Sequence, residues 1–447
     1  MGSSVRLDEI GTKLHPQDVT FHKETVADLL RRPNLHFPGA QPVSFARKHL
    51  NELERTDYFV AEKTDGIRCL LYLSQLTGED GATNEAQFLI DRRNDYYYIP
   101  PGYLHIPPPG RNKPFEISSW HIGTVLDGEL VSQRFPDGRE QKTYLIFDCL
   151  AMDTRCVMEG DYGSRLWKAE NLVYRPWKAF AQEWPGEAKV QPFQLSMKKP
   201  QLPYGIMMMF KEVIPKLPHG NDGLIFTCKG TPYVAGTDQH ILKWKPPHEN
   251  TIDFRLRLGA FPMEEDADGM YEDFDQKPEI ELLVSHGHKD HRKFANLHLT
   301  DDEWEAMKGM NQMFDGRIIE CYREAHTGHW RPKLDGRVPR FRDDKDSANH
   351  ITTVDSVLES IEDAVSEQDL IDAAQSIRTA WKERERKQKE LQKEQQAQQQ
   401  AQQQAQQQAQ QQAQQQPAQR AQVKQEAKQE VKQEVKQEDD DGPGYDD

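Results

Sequence analysis

With 447 residues, the chain has room for two or three domains and a sizeable hydrophobic core. A formal net charge of −16 argues against a protein that coats nucleic acid, because neutralising phosphates takes a surplus of Lys and Arg. No apolar run is long enough to cross a bilayer, and the N-terminus lacks the apolar core of a signal peptide. The five cysteines form no Cys-x-x-Cys pair and mostly lie in apolar runs. We therefore expect buried, reduced thiols in a soluble intracellular protein without membrane association.

The first 36 residues predict a helix, since apolar side chains recur at helical spacing from Asp18 to Leu30. The segment Phe37–Phe45 follows and contains two prolines and one glycine, which predicts a rigid turn packed by its aromatic ends. Neither segment by itself indicates a chemistry.

The stretch from Tyr58 to Tyr72 consists of two apolar, strand-like runs around a polar break with Lys63 and Arg68. A lysine at the end of a buried strand, walled by apolar neighbours, loses its proton at low cost and can act as a nucleophile. Taken alone, a lysine in a motif as short as Lys-x-Asp-Gly is more often a surface residue beside a turn. A second copy of the motif, Lys333–Arg337, lies between two prolines with no apolar strand beside it, which predicts a turn.

Between Tyr58 and Phe226, short β-rich runs alternate with Pro- and Gly-containing breaks, and helical segments intervene. Several of these strands carry charged residues within them or at their ends, where a catalytic pocket forms in many sheets. The ordinary alternative for each charged residue is a place on a solvated strand edge. The ordinary alternative for Phe147 is a place in the core. The strands in question are Phe88–Arg93, Val125–Val131 with Asp127 and Glu129 on one face, Tyr144–Leu150, Asn221–Phe226 with Asp222, and Ile241–Pro247 with Lys243 and Lys245 on one face.

The prolines at 246 and 247 predict a domain boundary, because they end a strand. Beyond them, short strands at Ile252–Leu258, Glu279–Ser285, Gly316–Cys321 and Arg340–Arg342, with a helix at Asp301–Met310, fit a small barrel of the oligonucleotide-binding (OB) type. The acidic run Glu264–Asp275 predicts an exposed loop.

From Thr353 to Leu391 the pattern is helical again, with Ser366 and Asp369 as a predicted helix start. Residues 392–447 are rich in Gln and poor in apolar side chains, which predicts a disordered or transiently helical tail. The tail could act as an interaction segment, but a solvated extension is the commoner case for such a composition.

The order Lys63-x-Asp-Gly-x-Arg68 resembles the active-site signature of covalent nucleotidyltransferases, which include polynucleotide ligases and mRNA capping enzymes. Further segments resemble consecutive motifs of fungal-type mRNA guanylyltransferases, and the last of them separates capping enzymes from DNA ligases. These segments are Phe37–Phe45, Glu62–Arg68, Val125–Val131, Tyr144–Met152, Asp222–Phe226, Leu242–Phe254 and Arg342-Asp343-Asp344-Lys345. The resemblance covers roughly residues 10–375.

The resemblance implies an α+β fold: a ligase-like nucleotidyltransferase domain (1–247) with mixed and antiparallel sheets, an OB-fold lid (248–352), a C-terminal helical segment (353–391) packing back on the first domain, and the disordered tail (392–447). It implies that GMP passes from GTP, through a covalent lysyl-GMP, to the 5′-diphosphate end of nascent RNA, which forms the GpppN cap.

The resemblance also implies roles for individual side chains. Lys63 would be the guanylylated lysine, Phe147 would stack on guanine, and Lys198 would read the guanine edge, with Lys199 as a rival. Asp222 and Glu129 would serve Mg²⁺ or Mn²⁺. The remaining implied nucleotide-binding residues are Glu62, Arg68 and Glu129 (Arg68 and Glu129 at the ribose), Arg92 near the triphosphate, Lys243 and Lys245 at the α-phosphate, and Arg342, Asp344 and Lys345 from the lid.

The implied partners are the nascent RNA, a separate RNA 5′-triphosphatase subunit and the phosphorylated tail of RNA polymerase II, and the implied location is the nucleus. Two rivals stay open: an ATP-dependent ligase with the same lysine chemistry, and a non-catalytic transcription scaffold. The run His286-Gly-His288-Lys-Asp-His291 has the spacing of a di-metal hydrolase motif, but a polar barrel loop is the preferred interpretation.

Overall fold

The structure is a computed structural model that describes residues 5–78, 81–266, 269–324 and 326–438. The chain divides into two units, Met1–Arg378 and Thr379–Asp447. In the described part of the chain, no helix is both long and apolar enough to pass through a membrane. Four of the five cysteines are buried and Cys156 is half-buried, and all are free thiols, as predicted.

The strands of the first unit run in chain order as β1 (Thr12–Lys13), β2 (Ala40–Ser44), β3 (Tyr58–Thr64), β4 (Ile67–Thr77), β5 (Thr83–Ile90), β6 (Tyr96–Ile99), β7 (Thr124–Arg134), β8 (Glu140–Met152), β9 (Arg155–Cys156), β10 (Gln194–Met197), β11 (Asn221–Cys228), β12 (Gly236–Trp244), β13 (Thr251–Leu258), β14 (Met263–Asp266), β15 (Gly269–Glu272), β16 (Ile280–Gly287), β17 (Asp290–Asn296), β18 (Ile318–Arg323), β19 (Trp330–Pro332), β20 (Leu334–Asp335) and β21 (Val338–Pro339). The helices are α1 (Pro16–Leu29), α2 (Lys48–Arg55), α3 (Tyr162–Lys168), α4 (Arg175–Glu183), α5 (Pro185–Val190), α6 (Ile206–Met208), α7 (Asp301–Gly309), α8 (Ile351–Glu362) and α9 (Glu367–Glu438).

Two mixed sheets form the N-terminal part of the first unit. One has the order β1-β6-β5-β4-β7-β8-β10, with β9 added to β8, and the other has the order β2-β12-β11-β3. The pairs β8–β10 and β2–β12 are parallel, and the other pairs are antiparallel. The predicted α+β class with mixed and antiparallel sheets is therefore confirmed.

The larger sheet is buried on both faces, which its unbroken apolar strands dictate. In β4, Cys69 and Leu71 pack into one core, while Leu70 and Tyr72 pack into the core on the opposite face. Helix α1, which the sequence predicted, contributes Val19 and Val26 to the second of these cores. Because each fully buried side chain of this size stabilises the fold by about 1.5–3 kcal/mol, the sheet is a firm support for side chains at its edge.

The smaller sheet has its own core, in which Val60, Leu242 and Trp244 pack with the start of the C-terminal helices. Leu370 contacts this core, and the indole N–H of Trp244 donates to the carbonyl of Val365 at 2.8 Å. The predicted helix start at Ser366 is confirmed, since Asp369 Oδ2 accepts from the Ser366 amide at 2.8 Å.

A five-stranded antiparallel sheet of order β17-β16-β13-β18-β19 follows, with α7 and α8 against its core. An isolated bridge joins Leu297, just after β17, to Trp330 of β19, so the two outer strands approach each other. Three of the predicted strands and the predicted helix are present here as β13, β16, β18 and α7. The prediction that this region is an OB-fold stays a prediction.

Two local predictions in this region are wrong. Residues 340–342 form no strand beyond an isolated bridge between Ile319 and Phe341. The acidic run 264–275 contains the hairpin β14–β15, because Met263, Met270 and Tyr271 favour strand pairing more than the charge of the run opposes it. Its described side chains within the strands are exposed, as expected. The turn predicted around the second lysine motif is present as the hairpin β20–β21.

The described residues of the second unit, 379–438, are helical. The helix α9 continues through residues 392–438, where we predicted a disordered or transiently helical tail. Ala, Gln, Glu and Lys dominate this segment and have high helix propensity, so a helix forms without a core. All side chains of residues 392–410 are exposed, as the lack of apolar residues dictates. Residues 439–447 lie outside the described residues.

Candidate active site

A cavity is lined by residues from both mixed sheets. The smaller sheet contributes Ala61 to Thr64 of β3 and Ile225 of β11, and the larger sheet contributes residues of β4, β7 and β8. Seven of the predicted site residues line this cavity, and they are Glu62, Lys63, Arg68, Arg92, Glu129, Phe147 and Lys198.

Lys63 reaches the cavity because β3 alternates strictly between buried and half-buried side chains. Tyr58, Val60 and Glu62 point into protein, whereas Lys63 is on the opposite, half-buried face with 24% of its side chain exposed. Its ammonium nitrogen donates to Asp222 Oδ1 at 2.6 Å. Lys333, the lysine of the second copy of the motif, instead pairs with Glu249 in the C-terminal part of the unit.

A β-bulge brings Asp222 to this lysine. The pairing of β3 with β11 shifts between Asn221 and Leu224, so Asp222 leaves the regular ladder. Gly223 makes the bulge possible, since its φ is +144° and a Cβ there would lie 2.0 Å from the carbonyl oxygen of Trp244. Asp222 Oδ2 also pairs with Lys245 at 2.8 Å. Burial opposes ionisation of Asp222, but Lys245 and Lys63 hold its pKa below the ordinary value.

Lys243 forms a cluster of three lysines with Lys63 and Lys245. In the described residues, no carboxylate forms an ion pair with it. Burial, and then the charges of Lys245 and Lys63, lower the pKa of Lys243 to about 8. Two lysines share one carboxylate here and their charges also act on Lys243, so the site has excess positive charge, which suits a polyphosphate ligand.

Glu129 fixes the turn that follows Lys63. Its Oε1 accepts from the Gly66 amide at 3.2 Å, and its Oε2 lies 3.5 Å from Lys198 Nζ. Gly66 is needed for this close approach, because a Cβ at that position would lie 2.7 Å from the Leu130 carbonyl oxygen. Lys198 is buried and lines the cavity, whereas Lys199 is exposed and does not.

Phe147 offers a flat apolar surface inside the cavity. Its neighbours on β8, Ile146 and Asp148, are buried, but Phe147 itself is half-buried. The Arg68 guanidinium carbon lies 5.5 Å and the Lys198 nitrogen 5.4 Å from the centre of its ring. A half-buried aromatic ring with cations nearby is suited to stacking on a planar base.

The three residues predicted to act from a lid, Arg342, Asp344 and Lys345, form a group outside the cavity lining. Arg342 pairs with Asp344 at 2.8 Å and with Asp253 of β13 at 3.4 Å, and Lys345 also pairs with Asp253. Arg93, adjacent to the predicted Arg92, donates to the Asp344 backbone carbonyl. The positive charge of Lys345 also acts on Lys243.

The sequence did not predict two buried ion pairs at the wall of the cavity. Arg68 pairs with Asp127 at 2.7 Å, although Arg68 was expected only at the ribose. Arg165 pairs with Asp148 at 2.7 Å, and it also donates to the Gly160 carbonyl. The acid at 127 was visible as a charge on a buried strand, but its partners come from distant parts of the sequence.

The carboxylates present fit a metal ion that binds chiefly through its substrate. In the residues that the structure describes, no three His, Cys, Asp or Glu side chains lie together as a metal site. Asp222 supplies one ionised carboxylate close to Lys63. Mg²⁺ commonly takes one or two carboxylates and completes its shell with water and substrate phosphates.

His286, His288 and His291 lie at the β16–β17 turn, where His291 Nε2 is 3.3 Å from Ser347 Oγ.

Comparison with known proteins covers nearly all of the first unit. Residues 7–247 match the mRNA capping enzyme catalytic domain, and residues 249–371 match the mRNA capping enzyme C-terminal domain. A relative from Neurospora crassa named mRNA-capping enzyme subunit alpha is 44% identical over 393 residues, covering 84% of this chain and 94% of that protein. The proteins of the same name from Schizosaccharomyces pombe and Saccharomyces cerevisiae are 42% and 38% identical, covering 83% and 84% of this chain and 87% of each protein. The chain therefore belongs to the mRNA capping enzyme family.

Proposed function

We propose that this protein is a GTP:RNA guanylyltransferase that forms the mRNA cap through a covalent lysyl-GMP on Lys63. The observation that supports this best is the position of Lys63, half-buried in a cavity and oriented by Asp222 at 2.6 Å, with Lys245 on the same carboxylate. A nucleophilic lysine needs such a fixed direction and nearby cations for the leaving group.

In the first step, the neutral amine of Lys63 attacks the α-phosphorus of GTP. A P–N bond forms, the bond between the α-phosphorus and the oxygen bridging to the β-phosphate breaks, and pyrophosphate leaves with that electron pair. The amine proton is released to water. Lys243 and Lys245 stabilise the phosphate oxygens, and the bound divalent ion would neutralise further phosphate charge, with Asp222 and, as predicted, Glu129 as its protein ligands.

In the second step, a terminal oxygen of the 5′-diphosphate RNA attacks the phosphorus of the lysyl-GMP. The new P–O bond gives the GpppN cap, and the P–N bond breaks and returns the electron pair to Lys63, which takes up a proton. Phe147 and Lys198 hold the base, and Arg68, Glu62 and Glu129 hold the ribose side. Arg92 and, from the lid, Arg342 and Lys345 contact the triphosphate and its leaving pyrophosphate in the first step, and Asp344 holds Arg342.

We further propose the division into a nucleotidyltransferase domain (1–247), an OB-fold lid (248–352), a helical segment (353–391) and the Gln-rich tail (392–447). The relatives are named as alpha subunits, which supports a partner subunit, and we assign to that partner the RNA 5′-triphosphatase activity. Docking on the phosphorylated tail of RNA polymerase II and a nuclear location complete the proposal.

Covalent labelling with one nucleotide at a time tests the function. The protein incubated with α-labelled GTP and Mg²⁺ or Mn²⁺ should retain the label through denaturing electrophoresis, whereas α-labelled ATP should give none. Labelling by ATP and not by GTP would identify a ligase instead, and labelling by neither would favour a non-catalytic scaffold.

The KM for GTP should rise as the pH passes through about 8, because Lys243 loses its charge there. Its ammonium form, which binds phosphate, is populated below that pKa and is lost above it. Lys243→Arg should move the rise to higher pH, because a guanidinium stays protonated. The measurement is the KM of lysyl-GMP formation from pH 6.5 to 9.5, with exposed Lys199→Arg as the control. Identical profiles for wild type and Lys243→Arg would contradict this role.

A further inference from the structure

Tyr233 lies between β11 and β12, and its hydroxyl is buried at the wall of the cavity. The hydroxyl donates to Asp127 Oδ2 at 2.5 Å. It accepts from the Ala40 amide at 2.8 Å and from Arg68 Nη2 at 3.3 Å. A tyrosine hydroxyl has one hydrogen to donate and two lone pairs to accept with, so this group uses its whole capacity.

The same four residues form a closed ring of polar contacts. Arg68 donates to both oxygens of Asp127, at 3.0 and 2.7 Å, and its Nη1 donates to the Ala40 carbonyl. Ala40 is on β2 of the smaller sheet, whereas Arg68 and Asp127 are on β4 and β7 of the larger one. The ring therefore ties the two sheets together where they form the cavity, and all four residues line it.

The ring also determines which way Arg68 points. Its bidentate contact with Asp127 fixes the guanidinium plane, and Tyr233 donates to the same Asp127 oxygen, Oδ2, that Arg68 Nη2 contacts. The guanidinium then lies 5.5 Å from the centre of the Phe147 ring, at the surface proposed for the base. Burial, reinforced by Asp127, raises the pKa of Tyr233 well above its ordinary value, so the hydroxyl keeps its proton.

We infer that Tyr233 is a positioning residue for nucleotide binding, which acts through Asp127 and Arg68 and not on the reacting atoms. The inference rests on the proposed function for the identity of the nucleotide. In the described residues, the lysine nucleophile donates to Asp222 and to no member of the ring. Loss of the hydroxyl should therefore weaken GTP binding and leave the attack of Lys63 nearly unchanged.

Tyr233→Phe tests this, because it removes one oxygen and keeps the aromatic ring. We expect the GTP concentration for half-maximal lysyl-GMP formation to rise about tenfold, the order expected when buried hydrogen-bonding groups lose a partner. The rate at saturating GTP should stay within about threefold of wild type. The matched control is Tyr58→Phe, which removes a buried hydroxyl that donates to Glu52 and does not line the cavity. An unchanged GTP requirement, or equal changes in both variants, would overturn the inference.

A double-mutant cycle with Asp127→Asn separates positioning from general destabilisation. If Tyr233 acts through Asp127, adding Tyr233→Phe to Asp127→Asn should raise the GTP requirement by less than about twofold. Fully additive effects would overturn the inference. Calorimetric titration of GTP into Lys63→Ala, with and without Tyr233→Phe, reports binding in the absence of chemistry. If the wild type binds GTP but is not labelled, the proposed function is refuted and the role of Tyr233 is not. If Lys63→Ala binds GTP equally well with and without Tyr233→Phe, the role of Tyr233 is refuted and the proposed function is not.

Discussion

Lys63→Ala is expected to abolish covalent labelling by GTP, with a loss of at least about 10³-fold, because alanine has no amine to form the phosphoramide. Lys63→Arg should be equally inactive, since a guanidinium stays protonated and cannot attack phosphorus. The measurement is the yield of labelled protein after incubation with α-labelled GTP, together with the thermal midpoint of each variant.

The matched control for this substitution is in the chain itself. Lys333 begins the second Lys-x-Asp-Gly segment, but the structure places it at the β20–β21 hairpin, paired with Glu249. Lys333→Ala should keep labelling close to the wild-type level. Equal loss in Lys333→Ala, or labelling that survives in folded Lys63→Ala, would refute the assignment of the nucleophile.

Asp222→Asn should have the second largest effect, a loss of about 10²–10³-fold in the rate of lysyl-GMP formation. The carboxylate is bonded to Lys63 at 2.6 Å and to Lys245 at 2.8 Å, so it both directs the nucleophile and balances two charges. An amide of the same shape leaves Lys63 and Lys245 without their counter-charge and weakens any metal site. Single-turnover labelling at saturating GTP and metal measures this effect.

Asp238→Asn is the control for Asp222→Asn. Asp238 is a second carboxylate on the smaller sheet and is buried, but it accepts from the His240 amide, and no lysine of the described residues pairs with it. The asparagine can keep that hydrogen bond, so the labelling rate should change by less than about threefold. A rate for Asp222→Asn within threefold of wild type would remove Asp222 from the mechanism.

Two of the cavity residues that the sequence did predict share a local signal. Lys63 and Glu129 are charged residues within strands that are otherwise apolar, and such exceptions stand out without any tertiary information. Phe147 is apolar like its neighbours, so its predicted role came from the family resemblance alone. The choice between Lys198 and Lys199 did not have such a signal. It depends on which side chain leaves the end of β10 toward the cavity, and the structure turns Lys198 inward.

The interactions that the sequence could not predict are those between distant segments. Tyr233 and Asp127 are 106 residues apart, and nothing in the composition around Tyr233 distinguishes it from a core tyrosine. The bulge that turns Asp222 toward Lys63 also depends on how β3 and β11 pair, although Gly223 was a visible indication of unusual backbone. For the tail, composition predicted that no core forms but left the backbone conformation of the segment open.

The central claim is that one amine, that of Lys63, becomes covalently joined to GMP. Mass spectrometry of peptides from GTP-treated protein, digested under neutral or alkaline conditions that spare a phosphoramide, tests it most directly. We expect a GMP adduct on the peptide that contains Lys63, and fragmentation of that peptide should locate the adduct on this residue. An adduct on Lys243, Lys245 or Lys198, or a labelled protein with unmodified Lys63, would contradict it.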